Sequence, residues 1–340
     1  MSNKFLIITS SGHLKRNVLN KFNIQKQFEI TDFEVFELNS YPTIRDIKRF
    51  LLYFKKTNFD NIVALGGGSV LDFAKIISNI EQFDVLTLEE QNYKFSRKNC
   101  IKTIPIIFIP TTHGSGAETT SFATLWDFNK NTKYSLELYK NDKSKVVYIP
   151  EIALTIPEKL NISTTFDSMC HSIDSLLNIN KSKVSIENSL ESLRIICENF
   201  EQSLINFDNV QLRTNLFKAS KLAGQAINIT KTSITHSISY PLTLNLGIPH
   251  GLACSFSILG ISEFLENEIG VNDTKKINEL VKKLFKYASV KEEFIKIFSL
   301  KDDLFLDSSD NSSRLENFIY KKEASMFEIF TKSKKYILNL

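Results

Sequence analysis

The first 150 residues alternate short apolar runs with amphipathic stretches. Residues 4–9 (KFLIIT), 34–38 (EVFEL), 61–65 (NIVAL) and 104–109 (IPIIFI) have the length and the β-branched or aromatic content of strands. Residues 44–55 between them carry apolar positions at helical spacing. Strand, helix and strand repeated in this way predict an α/β domain built on a parallel sheet covered on both faces. After about residue 155 the pattern changes. Helical periodicity runs through residues 165–177, 186–206, 209–225, 250–267 and 274–287. The break near residues 150–157 therefore predicts two domains, an α/β domain over 1–155 and an all-helical domain over 156–340. A cleft between such halves is the default ligand site.

Composition narrows the class. The chain has 340 residues, 42% of them hydrophobic, which suffices for two cores. Its 42 Lys+Arg against 38 Asp+Glu give a net charge of +4, with both signs interspersed. That pattern predicts a solvated surface and no nucleic-acid partner. The apolar run at residues 5–8 is too short for a signal peptide, and no stretch approaches the ~20 apolar residues of a membrane span. A soluble, cytoplasmic protein with no membrane partner is expected. Cys100, Cys170, Cys197 and Cys254 form no CxxC pair and read as reduced thiols.

Residues 61–65 run straight into Gly66-Gly67-Gly68-Ser69 and then a helical pattern. Glycines let backbone approach a phosphate, and a helix start offers free N–H groups and partial positive charge. Ser69 suits the N-cap and Asp72 the first turn. The same turn also serves as a plain strand-to-helix connection, and it is not the GxGxxG fingerprint. A second loop, Pro110-Thr111-Thr112-His113-Gly114-Ser115-Gly116, is rich in hydroxyls and reads as a phosphate- or ribose-binding surface or simply a polar loop. Glu37, closing the second strand, suits a ribose hydroxyl or open solvent.

Five histidines are present: His13, His113, His171, His236 and His250. Asp167 and His171 are four apart and share one helix face, with Ser163, Thr164 and Thr165 as cap-type residues before them. His236 sits in a helical run, and His250 follows a Gly-Ile-Pro turn. Three His and one Asp suit a first-row divalent ion with room for substrate. Each is also at home as a satisfied core or capping group, and spacing alone does not unite the two segments.

Taken in order, GGGSVLDFAK, PTTHGSGAETT, DSMCHSID and His236 followed by Pro249-His250-Gly251 resemble the iron-containing alcohol dehydrogenases. The resemblance covers residues 30 to 265. It implies a dehydroquinate synthase-like architecture, with Fe(II) or alternatively Zn(II), and with NAD(H) or NADP(H). It implies Asp167, His171, His236 and His250 as metal ligands, and Gly67, Gly68 and Ser69 as the pyrophosphate turn. Thr111, Thr112 and Ser115 fall on a second cofactor loop, and Lys133 on a lysine near the cofactor. His113 stands where Ala is usual, Ala117 where Ser is common, and Asp174 where Glu is frequent. Tyr240 stands where many members carry a proton-transferring His. The stretch AINITKTSITHSISYPLT resembles the phosphonoacetaldehyde reductase branch of that family, with Lys231 as the candidate for the substrate's anionic end. The implied activity is hydride transfer to a metal-polarised aldehyde, with a homodimer as the assembly to expect. Another small-alcohol or polyol dehydrogenase, a dehydroquinate synthase-like cyclase and a silent nucleotide-binding protein are the rivals.

Overall fold

A computed structural model describes residues 3–39, 41–54, 57–80, 103–128, 130, 132–298 and 312–339; Cys100 lies outside the described residues. The chain forms two compact units, Met1–Thr112 with Ala117–Ala153, and His113–Gly116 with Leu154–Leu340.

In the first unit the elements run β1 (Lys4–Ser10), α1 (Ser11–Lys15), α2 (Val18–Lys21), α3 (Ile24–Gln27), β2 (Asp32–Leu38), α4 (Ile44–Phe54), β3 (Asn61–Gly66), α5 (Gly68–Ser78), β4 (Ile106–Pro110), β5 (Phe122–Asp127), β6 (Thr132–Glu137) and β7 (Lys145–Val146). Five strands make one sheet in the order β2-β1-β3-β4-β7, with every pairing parallel. In β1, β3 and β4 the apolar runs are continuous because both faces are buried, whereas β2 at the sheet edge is exposed over residues 32–35. Leu6, Ile8, Ile62, Ala64, Ile106 and Phe108 pack with Ile47, Phe50 and Phe73 from α4 and α5. Their neighbours Phe5, Ile7, Val63, Leu65, Ile107 and Ile109 pack with Val18, Leu19 and Ile24 from α2 and α3. Each strand thus divides its side chains between two cores with period two. The strand order reverses at β1, whose neighbours are β2 on one side and β3 on the other. In an open parallel sheet, the crevice beyond the carboxyl ends of the strands flanking such a reversal is where a nucleotide docks.

An antiparallel hairpin, β5 with β6, was not predicted by the hydrophobic pattern. It is tied to α5 by a buried ion pair. Asp72 Oδ2 accepts the Thr124 N–H at 2.8 Å, and Lys75 Nζ lies 2.9 Å from Asp72 Oδ1. Lys75 also donates to the Ala117 carbonyl at 2.9 Å, to Thr120 Oγ1 at 3.1 Å and to the Phe122 carbonyl. Asp72 is therefore directed at the hairpin. It lies beyond the first helical turn, which contains no acid.

In the second unit the helices are α6 (Glu158–Leu176), α7 (Lys183–Ile205), α8 (Val210–Thr230), α9 (Ile234–Leu246), α10 (His250–Ser255), α11 (Ser262–Ile269), α12 (Val271–Leu284), α13 (Ala288–Phe298), α14 (Ser312–Leu315) and α15 (Met326–Leu338). They enclose one apolar core that includes Phe166, Phe200, Phe256, Phe318 and Phe330. Two boundaries differ from the sequence reading. α6 starts after Pro157, so Ser163, Thr164 and Thr165 are interior. Thr165 Oγ1 donates back to the Asn161 carbonyl at 2.9 Å, the alternative use of a cap-type hydroxyl. Residues 250–267 are not one helix. A 3-10 turn, Ile258–Ile261, separates α10 from α11, and there Gly260 comes so close to α15 that a Cβ would lie 2.6 Å from the Ile329 carbonyl. The chain after α14 clasps the end of α6: the Ile179 N–H donates to the Asn317 carbonyl at 2.9 Å and the Ile319 N–H to the Leu177 carbonyl at 3.1 Å. No helix among the described residues is long and apolar enough to cross a membrane.

Lys75→Met should strip Asp72 of its cation and remove a donor from four carbonyl or hydroxyl oxygens. A loss of ~3 kcal/mol is expected in denaturant unfolding. A change below ~1 kcal/mol would mean that the pair does not hold the hairpin.

Candidate metal centre

The glycine turn lies at the reversal of strand order. Gly67, not Ser69, is the N-cap of α5, and the first helical bonds run from the Val70 and Leu71 N–H groups to the Gly67 carbonyl. The N–H groups of Gly68 and Ser69 stay outside that ladder, as the first amides of a helix do. Space dictates the glycines before them. A Cβ on Gly66 would lie 2.5 Å from Val70 Cβ, and one on Gly67 3.0 Å from Thr112 Oγ1. Thr111 is buried, its N–H donating to the Gly66 carbonyl at 3.0 Å. Glu37 is the next-to-last residue of β2, opposite Thr9 of β1. Lys133 lies on β6 with its ammonium 5.2 Å from the centre of the Trp126 ring.

Residues 113–116 pack within the helical unit. His113 is buried, its carbonyl accepting from Ser168 Oγ at 3.0 Å and its ring edge-on to Phe217. Burial and the charge of Arg213 lower its pKa to about 3, so the ring is neutral. A Cβ on Gly114 would meet Thr164 Cβ at 2.8 Å. Gly116, at φ +57°, would meet the Ser220 carbonyl at 2.6 Å. Both glycines answer to close helix packing.

Asp167 and His171 lie on α6, His236 near the start of α9, and His250 is the first residue of α10. The structure brings all four together. Three imidazole Nε2 atoms surround Asp167 Oδ1, from His171 at 3.8 Å, His236 at 3.6 Å and His250 at 3.8 Å. The His171 and His236 rings stack at 4.7 Å, and His236 meets His250 edge-on at 5.2 Å. Asp167 Oδ1 and His236 Nε2 are buried and make no hydrogen bond. Lone pairs facing one another without a proton or cation repel. Donors on one divalent ion at ~2.0–2.2 Å lie about 3–3.5 Å apart, so small adjustments would seat an ion here. The residues fit a first-row divalent metal.

Asp174 fixes the orientation. This fully buried carboxylate accepts the N–H groups of Ser233 (2.7 Å), Thr235 (2.8 Å) and His236 (3.4 Å) and, at 2.8 Å, Nδ1 of His236. Burial alone would raise its pKa, but the His236 ring and the backbone donors hold it below the usual carboxylate value. With the proton on Nδ1, the Nε2 lone pair of His236 is turned to the metal position. Gly251 sets the other edge. A Cβ there would lie 1.8 Å from the Ser163 carbonyl and 3.0 Å from Asp167 Cβ, so only glycine lets α10 bring His250 beside Asp167.

A donor that the sequence reading missed is Cys254, one turn after His250. Ligand atoms of Asp167, His236, His250 and Cys254 all lie within 4.8 Å of one another. The i, i+4 spacing of His250 and Cys254 was the available signal. Cys170 and Cys197 are free thiols, as expected. Tyr240 follows His236 by one turn and is half-buried. Lys231 is exposed at the C-cap of α8, with φ 64°.

Asp174→Asn should weaken metal binding about 10- to 100-fold, measured by chelator competition. Unchanged affinity would remove Asp174 from the site. Cobalt(II)-loaded protein should show a sulfur-to-cobalt charge-transfer band that Cys254→Ser abolishes. The same spectrum from both proteins would leave Cys254 a bystander.

Comparisons with known proteins identify the family and the fold. The family description "Iron-containing alcohol dehydrogenase" matches residues 1–148, and "Fe-containing alcohol dehydrogenase family, C-terminal" matches residues 161–325. The phosphonoacetaldehyde reductase of Streptomyces viridochromogenes is 30% identical over 203 residues, 58% of this chain and 51% of that protein. The sulfoacetaldehyde reductase of Bilophila wadsworthia is 28% identical over 262 residues, 74% of this chain and 65% of that one. The matches thus span between about half and two thirds of these relatives' lengths. An iron-containing alcohol dehydrogenase of Thermotoga maritima shares the fold at a TM-score of 0.77 and 22% identity, over 98% of this chain and 92% of that one. The sulfoacetaldehyde reductase of Bifidobacterium kashiwanohense, solved with NAD+, does so at a TM-score of 0.76 and 19% identity, over 98% and 90%. With its two halves matched in order and its fold shared throughout, the chain belongs to the iron-containing alcohol dehydrogenase family.

Proposed function

We propose that the chain is a metal-dependent, NAD(P)H-linked reductase of a small aldehyde with an anionic head, phosphonoacetaldehyde first, yielding 2-hydroxyethylphosphonate. The observation that carries the reading is the convergence of three imidazoles on the unbonded oxygen of Asp167. Likeness to a phosphonoacetaldehyde reductase and a sulfoacetaldehyde reductase supports the anionic aldehyde.

Asp167, His171, His236 and His250 would hold the ion, Fe(II) before Zn(II). A divalent ion there supplies Lewis-acid polarisation of the carbonyl. The nicotinamide cofactor supplies the hydride. The Gly68 and Ser69 N–H groups at the start of α5, with Gly67 before them, suit its pyrophosphate, and Glu37 suits its ribose. Thr111, Thr112, Ser115 and Lys133 remain candidates for further cofactor contacts. Asp167 contributes the negative charge that tightens cation binding. Asp174 keeps the His236 proton on Nδ1. Tyr240 holds a phenolic proton from which the product hydroxyl is completed. The balance is aldehyde, NADH and one proton giving alcohol and NAD+.

The test is NADH oxidation by protein loaded anaerobically with Fe(II) or Zn(II). Phosphonoacetaldehyde should exceed propionaldehyde by about 100-fold in kcat/KM. Equal values would remove the anionic head from the proposal. No metal-dependent oxidation with any aldehyde would overturn it.

A further inference from the structure

Arg314 comes from the short helix α14, in the last third of the chain, where no motif draws attention. Its side chain reaches the turn that leads into α9. Nε donates to Thr232 Oγ1 at 3.2 Å. The neighbouring Asn317 Nδ2 donates to the Thr232 carbonyl at 3.0 Å, and Asn178 Nδ2 to the Lys231 carbonyl at 3.3 Å. Residues 231–232 are thus held from two sides. They are held in a costly conformation, since Lys231 has φ 64° and ψ 176°, a region that side chains other than glycine rarely occupy. The turn delivers Ser233, Thr235 and His236 to Asp174, so Arg314 is anchored to the strand of chain that positions a metal ligand.

Burial disfavours the guanidinium's charge, and the negative charges that Tyr240, Asp174 and Cys254 can carry nearby favour it. The side chain is only partly accessible to solvent. Among the described residues no carboxylate lies within ion-pairing distance of it, and its only side-chain hydrogen bond uses Nε. Asp174, the acid whose charge it feels, is already satisfied by four donors. Guanidinium remains protonated when half-buried, and its two terminal nitrogens form a fork that matches tetrahedral oxyanions. A cation near Tyr240 with no carboxylate partner among the described residues calls for a negative charge on whatever binds there.

We propose that Arg314 is the specificity-determining residue that grips the phosphonate or sulfonate head of the substrate, anchored by Thr232, in place of the exposed Lys231. This deepens the reading of the site as an anionic-aldehyde reductase and rests on it. It also accounts for the strain at Lys231, which is the cost of bringing Thr232 to the guanidinium.

The experiment compares wild type, Arg314→Ala, Arg314→Lys and Lys231→Ala as metal-loaded enzymes on phosphonoacetaldehyde and propionaldehyde. It also measures binding of methylphosphonate by calorimetry. Arg314→Ala should lower kcat/KM for phosphonoacetaldehyde at least about 100-fold and leave propionaldehyde within about 3-fold, because only the charged head loses its partner. Arg314→Lys should fall between, since it keeps the charge without the fork. Methylphosphonate binding should be lost with Arg314→Ala and retained with Lys231→Ala. If Arg314→Ala falls equally on both aldehydes, or if Lys231→Ala alone removes the preference, the assignment is wrong while the reductase reading stands. If wild type reduces no aldehyde, the reductase reading fails, and methylphosphonate binding still decides whether Arg314 takes an oxyanion. Should Arg314→Ala fail to fold, Arg314→Lys and Thr232→Val carry the same comparison of charged against neutral aldehyde, and an unchanged ratio in both overturns the proposal.

Discussion

The helical unit depends on one buried carboxylate. Asp174 has no access to solvent, yet it stays ionised because four donors converge on it, three of them backbone amides at the start of α9. Those amides would otherwise be orphaned at a buried helix start. One residue therefore caps a helix, joins it to α6 and selects the tautomer of His236. Asp167, His171 and Asp174 occupy positions i, i+4 and i+7 of the same helix, a single stripe. The stripe presents two candidate metal donors and the group that orients a third, His236. Replacing Asp174 by a longer acid would shift the start of α9, and the His236 ring with it.

Much of this could be read from the sequence, and the gaps have physical causes. Three of the four predicted strands announced themselves because a sheet covered on both faces needs unbroken apolar runs, whereas β2, at the sheet edge and exposed over residues 32–35, was legible from its β-branched and aromatic residues. The β5–β6 hairpin did not, because its anchor is the polar pair Asp72–Lys75, which periodicity does not register. The same pair explains why Asp72 looked like a cofactor-side acid when its carboxylate faces Thr124. Asp167 and His171 were legible as a pair through helical spacing. Their union with His236 and His250 was not, because it depends on how α6, α9 and α10 cross. Cys254 and Arg314 were missed for a related reason: a lone thiol or guanidinium acquires meaning only from what stands opposite it.

Glycine illustrates how one motif mixes two kinds of requirement. The Gly68 and Ser69 amides stand free at the start of α5, which suits an anion, whereas Gly66 is glycine because Val70 leaves no room. In the second loop Gly114 and Gly116 are pressed against α6 and α8. Gly251, beside His250, is likewise a matter of clearance from Ser163. His113, an unexpected residue in its loop, proves to be a neutral core group on Phe217 and not a fifth ligand.

The incomplete hydrogen bonding around Asp167 Oδ1 has a consequence for the stability of the helical unit. Three imidazole nitrogens lie 3.6–3.8 Å from this buried oxygen, and neither it nor His236 Nε2 makes a hydrogen bond. A cation held there would complete those bonds, so its binding free energy would also be folding free energy for α6, α9 and α10. A bound ion would then be a structural member of the helical unit as well as a reagent, and its loss would weaken the hold among these three helices, whereas the first unit contributes no donor to the cluster.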